Sequence, residues 1–585
     1  MKRIGLFILF CFLCLSINAQ WKWHNPLKAA FPVIQNQGWT KEIGKTFTRL
    51  PQSAEAKVPE AVWNLSRHSA GLSIHFYSNA PEIKIRYAVN GSFGMNHMPA
   101  TGVSGVDLYR IDNEGTWDFC SGNFVFGDTV VYHYNRIKKS KHHDYGYEYR
   151  LYLPLYNSVK WMEIGVPENT SFEFIPVLQE KPIVVYGTSI AQGACATRPA
   201  LAWTTIMERS LDYPLINLGF SGNAKLEKEV VEYVSDIDAC LYVLDCMPNL
   251  FEYEKKDIVQ RIIDAVKQIR TKSAAPILLV EHAGNSNTQT DSIRFTSNGA
   301  VNEASLYAYR LLQQENIPAI HYIYGDQFNI PADGWVDYVH FNDIGMQAQS
   351  VVVEQEIRRI LKMKKGTSVT GIPVTQRREP YNYEWKKRHQ EVLALNESNP
   401  PKALIIGNSI THFWGGEPKD PHQNGEESWN KFMKPEGYRN LGYGWDRIEN
   451  VLWRIYHGEL DGFEAEKIIL MIGTNNMGIS SDDDIVEGLR FLLAAIHERQ
   501  SKATIKVVGI LPRRNNEEWV NTINKRIRDM VLQEGYIYQN AGNLLVDTNG
   551  KTDESLFTDG LHPNEKGYML LGGLITDFLK PFCTK

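Results

Sequence analysis

The stretch Ile183-Val184-Val185-Tyr186-Gly187-Thr188-Ser189-Ile190 determines the fold of the region around it. Its four apolar residues are typical of a buried parallel strand, and Gly187 marks the point where the chain turns into a helix. Further apolar runs alternate with segments of helical spacing along the chain, at 241–244, 255–271, 277–280 and 344–363. This βαβ pattern predicts a parallel sheet covered by helices on both faces.

The same pattern returns 220 residues later, counted from Ser189 to Ser409. Gly187-Thr188-Ser189-Ile190 is matched by Gly407-Asn408-Ser409-Ile410, and Asp337-Tyr338-Val339-His340 is matched by Asp559-Gly560-Leu561-His562. In both cases the aspartate follows the serine after about 150 residues. We interpret this repeat as two divergent copies of one catalytic domain, copy 1 at residues 179–365 and copy 2 at residues 401–585.

The remaining segments differ in composition from the two copies. Residues 20–178 contain short alternating stretches such as 83–87 and 147–153, which predict an antiparallel β-sandwich. Residues 366–400 are polar and contain charged residues and prolines, which predicts a linker between two separate cores. We therefore expect a multidomain chain with one sandwich and two α/β domains.

Residues 1–19 are typical of a secretory signal peptide. Met1-Lys2-Arg3 precedes an apolar run that is too short to span a bilayer, and Ala19 provides a small residue at the cleavage point. An uncleaved anchor is the alternative interpretation. With cleavage, a periplasmic or extracellular location is expected. Five cysteines then remain, a number that is odd and sparse, so no disulfide framework is predicted.

Composition restricts the classes of partner. Hydrophobic residues make up 43% and charged residues 22% of the 585 residues, as in ordinary folded proteins. The net charge of −5 gives no electrostatic basis for binding nucleic acid or an anionic membrane surface. A small neutral or mildly charged substrate is expected. No CxxC or clustered His/Cys spacing predicts a metal site.

The repeated residues match the requirements of a serine nucleophile. A serine directly after a strand and a glycine is by itself equally typical of a helix N-cap. A nucleophilic hydroxyl needs an imidazole to take its proton, and the imidazole needs a carboxylate to fix its tautomer. The Asp-x-x-His pair provides both partners, and it recurs at the same distance from both serines. We therefore favour catalytic roles over the capping alternative.

The spacing excludes the α/β-hydrolase pattern, in which Gly-x-Ser-x-Gly is combined with an acid far upstream of the histidine. Ala191 and Thr411 stand at the position of the second glycine. The chain instead resembles the SGNH (GDSL-like) hydrolase superfamily over about residues 180–362 and 400–580. Four sequence blocks carry the site residues of that superfamily on a flavodoxin-like α/β/α sandwich. Block one provides Ser, block two Gly, block three Asn, and the last block an Asp-x-x-His pair. The resemblance implies that fold for both copies.

The resemblance also implies site residues. The catalytic residues are Ser189, Asp337, His340, Ser409, Asp559 and His562, and the oxyanion-hole residues are Gly222 and Asn249 in copy 1 and Trp445 and Asn475 in copy 2. Trp445 replaces the expected block-two glycine, but that block donates a backbone N–H, which tryptophan also has. Block three of copy 1 departs from the pattern, so Asn249 is assigned by aligning strand ends. Gly473-Thr474-Asn475-Asn476 looks like the platelet-activating-factor acetylhydrolase branch.

The sandwich carries a resemblance of its own. Gly105-Val106-Asp107-Leu108-Tyr109 is similar to the signature of a jelly-roll domain that precedes some bacterial SGNH esterases. Trp63, Tyr109 and Trp117 are interpreted as core residues, with sugar stacking as the alternative. Cys195, six residues after Ser189, is interpreted as a packing residue and not as a nucleophile.

Together these features predict a secreted serine esterase that removes O-acetyl groups from a glycan or from sialic acid, without a metal or an organic cofactor. The carbohydrate substrate rests on the resemblance, since double-SGNH chains similar to this one include sialate O-acetylesterases. The competing hypothesis is a glycan-binding protein in which one or both copies are inactive. No interaction with nucleic acid, or with membranes after signal cleavage, is expected.

Overall fold

The computed structural model describes residues 20–287, 290–379 and 383–578, so the signal-peptide prediction lies outside the described residues. The predicted fold class is confirmed: an antiparallel β-sandwich is followed by two α/β domains with parallel sheets. Within the described ranges, no helix has the length and apolar character needed to cross a bilayer.

The sandwich consists of two antiparallel sheets, ordered β1-β10-β4-β8-β7 and β11-β3-β9-β5-β6, with β2 paired to β3. Along β4, Ile83 and Ile85 are buried between the sheets whereas Lys84 and Arg86 are partly exposed, as the alternating sequence requires. The strands are β1 (Trp21–His24), β2 (Ile34–Gln35), β3 (Ser73–Ser78), β4 (Ile83–Val89), β5 (Asp107–Ile111), β6 (Trp117–Cys120), β7 (Asn123–Val125), β8 (Val130–Tyr134), β9 (Tyr147–Tyr152), β10 (Val159–Pro167) and β11 (Phe172–Phe174).

Most of the segment between β2 and β3 packs on copy 1, whereas Phe47 of this segment is buried in the core of the sandwich. The segment contains α1 (Thr40–Ile43) and α2 (Glu60–Ser66), and a third short helix, α3 (Ala100–Val103), follows β4. Trp39 and Trp63 are buried in the same core as Val184 of copy 1, so Trp63 is a core residue. The buried Arg49 guanidinium donates to the carbonyls of Asn217 and Gly219, which fastens this segment to the copy 1 sheet.

Copy 1 has five parallel strands in the order β13-β12-β14-β15-β16. This is the 2-1-3-4-5 order of flavodoxin-like folds, which bind ligands at the carboxyl ends of the strands. The strands are β12 (Ile183–Gly187), β13 (Leu215–Gly219), β14 (Leu241–Asp245), β15 (Ile277–Val280) and β16 (Ile320–Ile323). The helices are α4 (Ser189–Gln192), α5 (Trp203–Leu211), α6 (Lys228–Asp236), α7 (Lys255–Arg270), α8 (Ser292–Gln314) and α9 (Asp343–Ile360).

Copy 2 repeats this topology in the order β18-β17-β19-β20-β21. Its strands are β17 (Ala403–Gly407), β18 (Tyr438–Gly442), β19 (Lys467–Met471), β20 (Thr504–Val508) and β21 (Ile537–Gln539). The helices from the predicted linker onward are α10 (Trp385–Ser398), α11 (Ser409–His412), α12 (Glu426–Ser428), α13 (Ile448–Arg454), α14 (Asp482–Arg499), α15 (Glu517–Gln533) and α16 (Glu565–Ile575). The same strand order in both copies supports the repeat seen in the sequence.

The prediction that residues 366–400 form a linker between separate cores is wrong for much of that segment. In α10, Trp385 and Val392 are buried in the core of copy 2. Polar residues of α10 are buried as well, because the Trp385 indole donates to Asp446 at 2.7 Å and Arg388 donates to the carbonyl of Gly442 at 2.9 Å. The polar composition concealed a helix whose charged side chains have buried partners.

The sandwich and both copies meet at a cluster of buried charges. Asp212 of copy 1 accepts hydrogen bonds from Arg150 of the sandwich at 2.6 Å and from the indole of Trp453 in copy 2 at 3.0 Å. Glu148 of the sandwich accepts from Lys386 of α10 at 2.6 Å. The three units therefore share polar contacts in addition to their covalent connections.

Glycines at the strand ends allow the first helix of each copy to lie against the sheet. A methyl group at Gly219 would overlap the backbone nitrogen of Gln192 in α4, and one at Gly442 would overlap the backbone nitrogen of His412 in α11. Neither glycine has a left-handed φ, so the requirement is purely steric. The chain needs glycine here because the helix backbone contacts the strand directly.

This contact predicts that Gly219→Ala lowers the unfolding free energy by about 1–3 kcal/mol, as overpacking does in other cores. The matched control is Gly299→Ala in α8, where nothing beyond the adjoining residues and the backbone of the helix itself lies within 4 Å of the added methyl group. This control is expected to be neutral or to stabilise by up to about 1 kcal/mol, because alanine favours helix. Denaturant unfolding of both variants measures the difference, and equal stability of the two would contradict the steric argument.

Candidate active site

Both serines stand at the carboxyl edge of their parallel sheet. Ser189 is the first residue of α4 after β12, and Ser409 is the first residue of α11 after β17. The backbone N–H groups of the first helical residues have no intrahelical acceptor. Each serine therefore presents its N–H and its hydroxyl at the same edge, where an acyl group can meet both.

In copy 1 the structure brings Ser189, His340 and Asp337 together. The Ser189 Oγ lies 2.9 Å from His340 Nε2, and His340 Nδ1 lies 2.8 Å from Asp337 Oδ2. The other carboxylate oxygen, Asp337 Oδ1, accepts the backbone N–H groups of Val339 and His340. The short Asp-x-x-His loop thus fixes its own carboxylate, and the carboxylate orients the ring.

Copy 2 has the same arrangement. His562 Nε2 lies 2.8 Å from Ser409 Oγ, and His562 Nδ1 lies 2.7 Å from Asp559 Oδ2. The pKa of Asp559 is lowered. Partial burial alone would raise it, but the hydrogen bonds from the His562 backbone and ring outweigh this effect. The pKa of Asp337 is lowered in the same way against a similar burial effect. Both carboxylates are therefore charged at neutral pH and can stabilise an imidazolium.

The second and third blocks occupy equivalent places in the two copies. Gly222 has φ +69° and Trp445 has φ +67°, so the tryptophan adopts the left-handed backbone that glycine favours. The Asn249 amide donates to the carbonyl of Asn223 at 2.6 Å, and the Asn475 amide donates to the carbonyl of Asp446 at 3.0 Å. Each asparagine amide therefore donates one N–H to the residue directly after Gly222 or Trp445. The second N–H of the same amide is left available for an oxyanion.

Arg378, a residue of the predicted linker, holds the backbone at Trp445 in place. Arg378, which is buried, donates to the carbonyl of Trp445 at 3.0 Å and to Asn450 at 2.7 Å. It also forms an ion pair with Glu114 of the sandwich at 2.8 Å. This contact could not be predicted from the sequence, because Arg378 is far from Glu114 and from Trp445 in the chain and belongs to no motif.

Different rings flank the two catalytic histidines. In copy 1 the ring of His97, which comes from the sandwich, stacks on His340 with a centroid distance of 5.9 Å. In copy 2 the ring of Phe413 lies 5.1 Å from that of His562. Sequence reasoning missed both neighbours. Phe413 follows Ser409 by four residues and is within reach of a local argument, whereas nothing in the sequence connects His97 with copy 1.

Cys195 lies in the wall of the copy 1 site. Burial and, to a smaller extent, the nearby Asp337 carboxylate raise the pKa of its thiol to about 12. A thiol with this pKa is protonated at neutral pH and is a poor nucleophile. This agrees with the interpretation that Ser189 and not Cys195 attacks the substrate.

Block three of copy 1 begins with a buried acid. Asp245 ends β14 beside Gly187, at the position that Met471 occupies beside Gly407 in copy 2. Burial raises the pKa of Asp245 to about 8, although a hydrogen bond from Gln349 opposes the shift. The acid is therefore largely protonated at neutral pH and acts as a neutral group in the sheet edge.

Family models match three segments of the chain. Residues 21–172 match the N-terminus of SGNH-hydrolase-type esterases, and residues 180–358 and 405–570 each match a GDSL-like lipase/acylhydrolase family. A solved structure described as a GDSL-like lipase from Bacteroides ovatus is 31% identical, with a TM-score of 0.54. That similarity covers 59% of this chain and 98% of the other chain.

Curated relatives match a smaller part of the chain. Platelet-activating factor acetylhydrolase IB subunit alpha1 from Bos taurus is 28% identical over 147 residues, which are 25% of this chain and 59% of that protein. The same subunit from Rattus norvegicus is 25% identical over 189 residues, 32% of this chain and 77% of that protein. The chain thus matches about three fifths of the length of the bovine relative.

The equivalent backbone of Gly222 and Trp445 predicts that Trp445 contributes to the oxyanion hole only through its N–H. In a Ser189→Ala background, which isolates copy 2, Trp445→Gly should leave hydrolysis of p-nitrophenyl acetate within about tenfold, whereas Asn475→Ala should cost about 10²-fold or more in kcat. Equal and severe losses from both changes would instead show that the indole itself is needed at the acyl site.

The buried acid predicts a pH-dependent stability. Its folded pKa of about 8 lies above its ordinary value of 3.8, so its neutral form favours the folded state at low pH. That contribution is lost as pH rises from about 4 to about 8, because the unfolded chain ionises first. Asp245→Asn should match the wild type near pH 4 and be the more stable protein near pH 8. Unfolding at several pH values measures this, with exposed Asp264→Asn as the control, and parallel wild-type and Asp245→Asn curves would contradict it.

Proposed function

The chain belongs to the GDSL-like lipase/acylhydrolase family, and we propose that it is a secreted esterase whose two active sites remove O-acetyl groups from carbohydrates. The observation that carries the proposal is the Ser-His-Asp geometry at the carboxyl edge of both sheets. A protein that only binds glycans has no need to keep two serine hydroxyls within hydrogen-bond reach of an imidazole held by a carboxylate.

Acylation starts when the serine Oγ attacks the acetyl carbonyl carbon and its proton passes to the histidine Nε2. In copy 2, the carbonyl oxygen becomes an oxyanion that the N–H groups of Ser409 and Trp445 and the amide of Asn475 can stabilise. The C–O bond to the sugar then breaks. The sugar oxygen leaves with the proton from His562, and the acetyl group stays on the serine.

Deacylation repeats these steps with water. The neutral histidine takes a proton from a water molecule, and the hydroxide attacks the acetyl-serine. The tetrahedral intermediate collapses to acetic acid, which releases its proton to solvent to give acetate, and the serine recovers its proton from the imidazolium. Throughout, Asp559 or Asp337 accepts the Nδ1–H of the ring, so the imidazole keeps Nε2 directed at the serine.

Two features support acetyl as the acyl group and a sugar as the alcohol. The mammalian relatives are acetylhydrolases by name, and the run Gly473-Thr474-Asn475-Asn476 in copy 2 resembles that branch. Beside that amide, half of the Trp445 surface is exposed. An exposed indole next to an oxyanion hole is suited to packing against the apolar face of a sugar ring. Secretion is proposed from the pattern of residues 1–19.

The two sites are predicted to act independently on an unselective ester. On p-nitrophenyl acetate, the rates lost in Ser189→Ala and in Ser409→Ala should add up to the wild-type rate, and the double variant should fall to background. Ser398→Ala, at the exposed end of α10, is the matched control and should retain the full rate.

Acetate release from a panel of acetylated glycans then tests the substrate class. Release that depends on either catalytic serine supports the proposal. If either single variant abolishes hydrolysis of every ester, the other copy is a binding or structural module. If the wild type releases acetate from no acetylated sugar but hydrolyses other esters, the carbohydrate assignment is wrong.

A further inference from the structure

We propose that copy 1 carries a binding site for a zinc-like divalent metal ion, formed by His97, Cys195 and His340, and that the bound ion inhibits this copy. Each side chain offers one ligand atom, and the three ligand atoms lie within 4.8 Å of one another. The site joins a histidine of the sandwich to a cysteine and the catalytic histidine of copy 1. The inhibitory role rests on the proposed esterase function, whereas metal binding itself does not.

The donor set suits zinc. Two imidazoles and a thiolate are typical zinc ligands, and a water molecule or a substrate oxygen can take the fourth tetrahedral position. At ordinary zinc–ligand bond lengths the donor atoms lie about 3.3–3.6 Å apart, so the group has to close by about 1.5 Å at most. His97 is exposed on a loop and can make that movement, whereas Cys195 is buried and fixed. The thiol releases its proton to solvent when its sulfur binds the ion.

Contacts between the two domains hold His97 over the site. It occupies a tight turn closed by mutual backbone hydrogen bonds between Met95 and Met98, at 2.9 and 3.2 Å. Met98 is buried in the copy 1 core together with Cys195. Nearby, the Thr101 hydroxyl donates to the carbonyl of Thr197 at 2.6 Å. The turn and the cysteine segment are therefore fixed to each other on the protein surface.

The catalytic carboxylate already provides the outer contact that a metal-binding histidine usually has. Ligating histidines generally donate their second ring N–H to a carboxylate, and Asp337 accepts from His340 Nδ1 at 2.8 Å. This leaves Nε2 for the metal ion. Nε2 is also the atom that pairs with Ser189 Oγ. Metal binding and activation of the serine therefore compete for the same lone pair, which makes the ion an inhibitor.

Copy 2 provides an internal control. Its catalytic His562 is flanked by the ring of Phe413, which cannot bind a metal ion. Six residues after Ser409, where copy 1 has Cys195, copy 2 has Gly415. Among the described residues, no comparable group of ligands surrounds His562. One chain thus contains two similar triads, of which one has the additional ligands.

The first experiment measures binding without reference to activity. Cobalt(II), which can replace zinc and absorbs light, is titrated into the full-length protein. We expect one equivalent to bind with a thiolate-to-cobalt charge-transfer band. Cys195→Ser should lose the band, and His97→Ala should bind cobalt at least tenfold more weakly. His142→Ala, an exposed histidine of the same sandwich, is the matched control and should bind as the wild type does.

The second experiment measures inhibition by zinc relative to the metal-free rate of each variant. Ser409→Ala, which leaves copy 1 as the active site, should be inhibited, and adding His97→Ala should raise the half-inhibiting zinc concentration at least tenfold. Ser189→Ala, which leaves copy 2, should keep its rate at the same zinc concentrations.

A missing charge-transfer band, or one that persists in Cys195→Ser, would overturn the metal site. Cobalt affinity in His97→Ala equal to that of the wild type would do the same, and this variant alters only an exposed loop residue, so its fold is not at risk. Equal inhibition of both copies by zinc would overturn the inhibitory role. If the chain hydrolyses no ester at all, the proposed function fails, but the cobalt titration still decides whether the metal site exists.

Discussion

The direct contact between the first helix and the second strand of each copy is the constraint on which both sites depend. Glycine at 219 and at 442 lets the helix backbone lie against the strand end. The next residue along each strand then donates its N–H to the end of the first strand, from Phe220 to Gly187 at 2.8 Å and from Tyr443 to Gly407 at 3.1 Å. These contacts fix the serine relative to the block-two turn, so the nucleophile and an oxyanion donor are placed by backbone atoms. The two copies have diverged widely in sequence but retain this contact.

Features that depend on local periodicity could be predicted from the sequence. Apolar runs, helical spacing and the repeated Asp-x-x-His pair were sufficient for the fold class and for the residues that the structure brings together around Ser189 and Ser409. Features that depend on contacts between distant segments could not be predicted. The helix α10 was hidden because Trp385 and Arg388 have buried polar partners contributed by copy 2. His97 and Arg378 were missed because each reaches a site in another domain and belongs to no motif.

These missed contacts show that the sandwich takes part in both sites. Its turn at Met95–Met98 places His97 against His340 in copy 1. The sandwich residue Glu114 pairs with Arg378, which holds the carbonyl of Trp445 in copy 2. The chemistry of each triad is local, but the walls around it are contributed by a shared domain. The triads themselves are alike, whereas the sandwich contributes a different residue to the surroundings of each site.

The buried charges at the junction of the three units also connect their stabilities. Arg150 and Glu148 are almost fully buried, and their partners Asp212 and Lys386 come from copy 1 and from α10. Removing one member of a buried ion pair is costly because the other charge is left without compensation. If the sandwich unfolded alone, it would leave Asp212 in copy 1 and Lys386 in α10 without these charged partners. Unfolding of the sandwich therefore weakens both copies, and it also removes His97 from one site and the Glu114 partner of Arg378 from the other.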